Sequence, residues 1–394
     1  MKNKIWFLLI FVLFFTGCGN YRELNDMAVV TGVSIDKKGD EFEVGFLIAN
    51  SPKVQTSSKE GEAQTTVYSA KGKTIFEAAS HIDYKSPKKL YFGHINVVII
   101  SESVGKNGFF DISDYFLRNF ESRKRFFLMQ SKDEKAKNIL KIISPLESFP
   151  SQSIATLLES NKDAQSVVET VDYSTFISRI LEKGYDPILP VITISGNTKK
   201  GEKSKNVEST EPDGYLRLDS AAIYRNDEFV GYESFKHSQA VSIINNNVSE
   251  FKTIFKHKNH KIGFSSDILK SKIIIKNPSK INVLITGKGN ITEINYKENL
   301  NNPKVIKKLE KSLNKSITKT INETIFLMKF KYQADVFGFG NKIYKKYPDK
   351  WKKVEKKWNE KYFQKLKINV KTDVTINSSG SLDKTIREVK NEKY

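Results

Sequence analysis

The sequence predicts a multidomain mixed α/β (α+β) protein in which mixed and antiparallel sheets pack with helices. Three observations predict it. Segments rich in β-branched and aromatic residues alternate with segments whose apolar residues recur at helical spacing. A chain of 394 residues has room for two or three domains of the usual ~100–200 residues. One long amphipathic pattern, over 303–330, places an extended helix in the C-terminal half.

The first segment stands outside the fold. Lys2 and Lys4 precede an uninterrupted apolar run from Ile5 to Phe15, and the small residues Thr16 and Gly17 follow it, which is the layout of a secretory signal peptide over 1–17. Such a run falls short of the ~20 apolar residues that span a bilayer. Phe15-Thr16-Gly17-Cys18 resembles the lipobox of bacterial lipoproteins, with Phe15 where a leucine is usual. Cys18, the only cysteine, is therefore the expected lipidation site and the mature N-terminus. Each buried methylene contributes about 0.8 kcal/mol, so a diacylglycerol holds a soluble domain on a bilayer where a single chain does not. One cysteine also excludes an intramolecular disulfide, a CxxC redox pair and a cysteine-rich zinc site.

Past the anchor, Met27 to Asp36 and Glu41 to Asn50 flank Lys37-Lys38-Gly39-Asp40 and predict a β-hairpin. Pro52 to Thr66 is polar and reads as a loop. Thr74 to Tyr84 lines up Ile75, Ala78, Ala79 and Ile82 on one helix face. Ile95 to Ile100 is continuous enough in apolar residues for a strand covered on both faces. A helix over Phe109 to Phe120, a strand over Phe126 to Gln130, helices over Glu134 to Ile143 and Val167 to Leu181, and a strand over Ile188 to Ser195 complete an N-terminal α/β domain, 18–200, divisible into two subdomains. The Lys-, Ser-, Glu- and Gly-rich stretch that follows lacks apolar periodicity, and 201–214 is set as a linker or exposed loop.

The C-terminal α/β domain, 215–394, opens with a second hairpin, Leu216 to Tyr224 and Glu228 to Tyr232. Lys272 to Lys276 and Ile281 to Ile294 turn at Asn277-Pro278-Ser279-Lys280, and the sheet here is expected to be antiparallel. Pro303 starts the long helix, where Val305, Leu309, Leu313, Ile317, Ile321, Ile325 and Met328 recur by about four while lysines fill the other faces. A helix over Lys350 to Phe363 aligns Trp351, Val354, Trp358 and Tyr362, and Lys365 to Asn377 alternates as a half-buried strand does.

With 39% hydrophobic and 28% charged residues the chain is neither disordered nor polytopic in a membrane. Its net charge of +20 favours anionic partners; export removes cytosolic nucleic acid from the candidates, so no nucleic-acid partner is expected. Catalytic signatures are missing: there is no Walker loop, GxSxG elbow or HExxH, and no cofactor motif. Gly287 with Gly289 and Gly338 with Gly340 read as turns. His257 and His260 lack an acidic or cysteine neighbour in sequence and read as a surface loop, so no metal site is assigned. His94 reads as a structural histidine ahead of its strand. Lysines from Lys342 to Lys371 interleave with Tyr344, Tyr347, Trp351, Trp358 and Tyr362, the pattern of a helix with aromatics inward and lysines solvated; a basic face beside an anionic bilayer, carried by Lys352, Lys353, Lys356 and Lys357, is the alternative.

Three stretches resemble the Ger(x)C lipoproteins, the C subunits of bacterial spore germinant receptors. Cys18 to Lys37 is similar to that family's mature start, keeping Arg22, Glu23, Asn25 and Asp26, with Gly19-Asn20 in place of a usual Trp-Asp. Leu90 to Val104 contains the family's Phe92-Gly93-His94 strand. Asp335 to Trp358 contains Phe337-Gly338-Phe339-Gly340, then Tyr347-Pro348, then Trp351 and Trp358. The resemblance implies an α/β protein of three domains, lipid-anchored through Cys18 on the outer face of the spore inner membrane, and acting without catalysis beside two membrane-embedded subunits, A and B, to trigger germination. It makes Arg22, Glu23, Asn25 and Asp26 candidate partner contacts; glycine's conformational freedom favours structural roles for Gly338 and Gly340. A solute-binding lipoprotein with a deep polar cleft between two lobes is the competing expectation, and a wall-active enzyme, which requires a carboxylate pair the sequence does not display, is a third.

Overall fold

The computed structural model describes residues 27–50, 64–118, 124–164, 169–295 and 299–378. The expected signal peptide over 1–17, and Cys18, Arg22, Glu23, Asn25 and Asp26, lie outside the described residues.

The hairpin at the start forms as the pattern predicts, β1 (Met27–Lys38) with β2 (Glu41–Ala49). Gly39 supplies the positive φ its turn needs. A third strand, β3 (Thr65–Gly72), continues from β2 where the sequence reads as loop; its only buried side chain is Ala70, so it offers little apolar alternation to detect. Next, α1 (Ile75–Asp83) starts at Thr74, whose side chain accepts the Glu77 N–H, while the Glu77 carboxylate takes the Lys73 N–H at 2.6 Å. It buries the four predicted residues.

Short β4 (Lys89–Tyr91) and the fully buried β5 (Val97–Ile100) both pair parallel to β1. Then α2 (Glu102–Lys106) and α3 (Phe110–Arg118) lead to β6 (Phe127–Ser131), and α4 (Ala136–Ile139), α5 (Pro150–Ala164) and α6 (Tyr173–Leu181) lead to β7 (Ile188–Gly196). Helix α5 buries Ile154, Ala155 and Leu158 on one face, a short stripe among serine and charged residues that the sequence reading does not assign to an element. Two single-turn helices, α7 (Thr198–Gly201) and α8 (Lys205–Glu208), carry the chain to β8 (Gly214–Arg225) and β9 (Glu228–Glu233). The resulting nine-stranded sheet runs β3-β2-β1-β5-β6-β7-β8-β9 with β4 beside β1, so it takes in strands from both sides of 201–214. That segment is mostly exposed yet pinned: buried Asn206 donates to the Ile143 and Gly214 carbonyls at 2.9 and 2.8 Å and accepts the Gly214 N–H at 3.0 Å.

The second sheet follows α9 (Phe235–Ile244) and has the order β10 (Phe251–His257), β11 (His260–Asn277), β12 (Lys280–Ile294), β13 (Lys367–Ser378). Its first three strands are antiparallel as expected. The last is a correction: β13 lies parallel to β12, because the intervening chain crosses back over the sheet before entering it. That crossover contains α10 (Pro303–Leu327), prolonged by a π-helical turn over Met328–Tyr332. Leu309, Leu313, Ile317, Ile321 and Ile325 are buried along it, in one core with both sheets, since Ile188, Ala221 and Ile223 of the first belong to the same cluster.

After α10 come α11 (Phe339–Lys346), α12 (Pro348–Lys352), a 3-10 turn (Glu355–Lys357), a π turn (Trp358–Tyr362) and α13 (Phe363–Lys365). The single helix expected over Lys350 to Phe363 is thus broken. On a continuous helix Trp351 and Trp358 would stand about 10.5 Å apart along the axis; their rings meet at 5.0 Å, which requires the chain to fold back between them.

Leu313→Ala should cost about 3 kcal/mol of unfolding free energy in urea titration, since Leu313 is fully buried. Exposed Lys315→Ala on the same helix should stay within about 0.5 kcal/mol.

Candidate functional site

The C-terminal signature closes on two buried carboxylates. Gln333 in left-handed backbone ends the π turn, and Asp335 follows in the core. One Asp335 oxygen accepts the Phe339 N–H at 3.1 Å; the other accepts the Gly340 N–H at 2.7 Å and the Trp358 indole N–H at 3.0 Å. Asp186, just ahead of β7, accepts the N–H of Asn226 at 2.8 Å, that of Asp335 at 2.7 Å and the Asn359 amide at 2.7 Å. The two backbones also pair, Asp186 N–H to Asp335 carbonyl at 3.0 Å, and the Asn341 N–H reaches the Gly184 carbonyl at 3.0 Å. Burial raises both carboxyls above their ordinary range, with the N–H donors opposing; for Asp335 the neighbouring Asp186 adds to the rise, to about 7.

Around this node the glycines are dictated by space. Gly338 has φ +63 and starts α11 in left-handed backbone. A Cβ on Gly340 would lie 2.7 Å from Trp358 Nε1 and 2.8 Å from the Trp351 ring, and one on Gly184 would lie 2.4 Å from that ring. Phe337 and Phe339 stack at 5.1 Å, Tyr347 and Pro348 make the corner into α12, and Trp351 is 1% exposed. The structure therefore brings Phe337, Gly338, Phe339, Gly340, Tyr347, Pro348, Trp351 and Trp358 together as a clasp on the loop before β7. Sequence reasoning missed Asp186, Gly184 and Asn359, the receiving side; Gly184 to Pro187 stands in the sequence only as the connection between the helix ending at Leu181 and the strand from Ile188.

Phe92-Gly93-His94 sits elsewhere, just ahead of β5. Phe92 is buried edge-on against Phe46 at 5.4 Å and Tyr115 at 6.3 Å. A Cβ on Gly93 would fall 2.4 Å from the Tyr91 hydroxyl. His94 is exposed, its ring 5.6 Å from that of Tyr91. His257 and His260 face each other across the β10–β11 turn, and His257 contacts Ser312 at 2.8 Å. Among the described residues no three His, Cys, Asp or Glu side chains form a group fit for a metal ion.

At the carboxyl ends of β1, β5 and β6 lies a polar cleft of about 760 Å³, reached by Asp36, Glu43, Ser101, Glu102, Ser131 and Lys135. Open sheets with parallel strands place ligand crevices at this end. Here the anion position is taken by the protein itself: Asp36 accepts the N–H groups of Ala136 and Lys137 at 2.9 and 3.1 Å. A Lys137 hydrogen bond holds Glu43 below the usual carboxylate range, and Lys106 does so for Glu102. These carboxylates are engaged as bases with fixed partners, an arrangement suited to recognition by charge and hydrogen bonding.

Two family descriptions match this chain: "Spore germination protein N-terminal domain" over residues 20–194 and "Spore germination B3/ GerAC like, C-terminal" over 219–380. The chain belongs to the Ger(x)C spore germination family. Spore germination protein KC of Bacillus subtilis (strain 168) is 28% identical over 398 residues, covering 96% of each chain. GerQC of Bacillus cereus is 26% identical, covering 96% of this chain and 99% of the other, and spore germination protein A3 of B. subtilis is 27% identical, covering 97% and 99%. The crystal structure of the GerBC protein aligns with TM-score 0.51 at 19% identity, over 88% of this chain and 96% of that one, so the fold is shared across both sheets. The clasp and the Phe92-Gly93-His94 segment fall inside the matched regions of the Ger(x)C family; Phe92 and the clasp's aromatic rings Phe337, Phe339, Trp351 and Trp358 are buried in this chain, whereas His94 is exposed.

Gly340→Ala should lower stability by about 2 kcal/mol through forced repacking of both tryptophans, read by urea unfolding. Asp335→Asn tests the carboxyl. A carboxyl raised when folded contributes stability that is present below its unfolded value near 3.8 and is lost as pH climbs to about 7. The stability gap between the wild type and Asp335→Asn should therefore narrow between about pH 4 and 7 and stay level above; a gap that widens over that window contradicts the assignment.

Proposed function

We propose that this chain is the lipid-anchored C subunit of a nutrient germinant receptor, held on the outer face of the spore inner membrane and needed, with membrane-embedded A and B subunits, to trigger germination. The observation that carries the reading is the full-length match to spore germination proteins joined to a lipobox-like Phe15-Thr16-Gly17-Cys18 ahead of it. The subunit acts by docking and not by catalysis, in keeping with motif residues that are absorbed in packing and with carboxylates engaged by fixed partners. Arg22, Glu23, Asn25 and Asp26, within eight residues of Cys18, are the side chains placed by sequence nearest the bilayer, where contact with a membrane subunit is easiest.

The polar cleft at the carboxyl ends of β1, β5 and β6 favours a second reading, a solute-binding lipoprotein. Thermal-shift screening of the mature chain against amino acids and sugars separates the two: a saturable rise in Tm with one solute supports the binder.

Cys18→Ala should move the protein from the membrane to the soluble fraction of spores and abolish the nutrient response; normal germination by that variant would make the anchor dispensable. Arg22→Glu combined with Asp26→Lys should leave membrane attachment intact while reducing co-purification of the membrane-embedded subunits several-fold.

A further inference from the structure

The topology gathers the starts of five parallel strands at one edge of the first sheet. Strands β1, β4, β5, β6 and β7 are mutually parallel through the sheet, so all begin at one edge, and β8, antiparallel to β7, turns into β9 at that same edge. The chain leaves it at Met27 toward Cys18. Nine residues separate the two, a reach of at most about 30 Å.

This edge is basic and aromatic. Where Met27 pairs with Lys89, the loop before β4 presents Tyr84, 85% exposed, with Lys85 and Lys89 exposed and Lys88 half-buried. Arg125, exposed, precedes β6. At the far end the clasp packs Trp351, Trp358 and Asn359 onto Gly184 and Asp186 ahead of β7, and so brings exposed Lys352, Lys353, Lys356 and Lys357 to the same edge. Six lysines stand against three acids over 349–361. The cleft between the clasp and the β8–β9 turn also carries acids, Glu182, Asp227, Glu228, Glu355 and Glu360 among them, so the basic character of this edge rests on the exposed lysines that flank it.

We infer that the edge formed by the starts of β1, β4, β5, β6 and β7 is a docking face for an anionic lipid bilayer, with Tyr84 at the headgroup level and Lys88, Lys89, Lys353 and Lys357 toward the lipid charge. The two lysine groups come from segments more than 250 residues apart and share no sequence pattern, yet the sheet sets both at one edge, the first beside Met27 on β4 and the second beyond β5 and β6 at the loop before β7. Attraction to an anionic surface acts within about one Debye length, roughly 8–10 Å, so a tether this short keeps the face in range. Tyrosine suits the interface, with an apolar ring and a polar tip. The inference rests on the lipid-anchor reading of Cys18, and its test is built to fail separately from it.

The mature chain is coupled through the Cys18 thiol to a maleimide lipid, which bypasses cellular lipidation, in vesicles of phosphatidylglycerol and phosphatidylcholine with brominated acyl chains. Tyr84→Trp reports on the proposed face; Tyr215→Trp, at a 50% exposed position where β8 starts on the opposite edge, is the control. The unsubstituted chain supplies the background of Trp351 and Trp358. Quenching at position 84 should exceed that at 215 several-fold, fall on purely phosphatidylcholine vesicles, and drop to the control level when K88E, K89E, K353E and K357E are added. Equal quenching at 84 and 215, or an excess at 84 that survives charge reversal, overturns the inference. Natural lipidation is judged independently by fractionation of Cys18→Ala, so a chain that proves unlipidated in cells would defeat the anchor reading and leave the measured orientation standing.

Discussion

The interaction on which the rest of the structure depends is the paired burial of Asp186 and Asp335. Two neighbouring buried carboxyls lose hydration and raise the cost of each other's ionisation, and each alone would be costly. Here they receive six directed donors between them: N–H groups from Asn226, Asp335, Phe339 and Gly340, the Asn359 amide and the Trp358 indole. Those donors come from the turn after β8 and from the chain on either side of α11. Satisfying the pair thus forces three remote segments to one point, and the geometry of the clasp follows. The loop before β7 is held by the crossover that leads into β13, so the first sheet and the second cannot separate without exposing both carboxyls.

The node also explains the irregular helical path between α10 and β13. A regular helix would satisfy its own backbone and present its tryptophans in separate turns. Trp358 must instead aim its indole N–H at Asp335 while Trp351 covers Gly340 and Gly184. Only a chain broken into short α, 3-10 and π turns places both rings there. Cation–aromatic pairs such as Lys183 over Tyr344 at 5.3 Å and Arg179 over Tyr185 at 5.0 Å then line the outside of the clasp.

Legibility from sequence followed the strength of local pattern. The first hairpin, α1, β5, the second hairpin and α10 were readable because their apolar spacing is regular and their faces are buried as that spacing demands. What escaped was polar or shaped by distant contacts. Strand β3 exists because β2 offers it a free edge, and its own residues scarcely mark it. Helix α9 is buried on nearly every side, which erases the two-faced pattern that identifies a helix. The parallel pairing of β13 is a property of the crossover and not of its alternation. At the candidate site the glycines and tryptophans of the signature were visible as a motif, whereas their partners Asp186, Gly184 and Asn359 are single ordinary residues whose meaning arises only when the chain returns to them.

The three stretches that carried the family resemblance meet in space more closely than their sequence separation would indicate. The mature start runs into β1, Phe92-Gly93-His94 precedes β5, and the C-terminal signature caps the loop before β7. Since β1, β5 and β7 are parallel members of one sheet, Met27, Phe92-Gly93-His94 and the clasp stand at the edge where those strands begin. A parallel sheet has two chemically distinct ends. In this chain the carboxyl end holds an open polar cleft whose carboxylates are engaged by the chain's own donors, and the amino end gathers the described signature residues and exposed lysines. The buried part of the family signature is therefore the architecture of that amino end: the clasp ties the lysine-bearing turns to the loop before β7, and through it to a face held in register over five parallel strands.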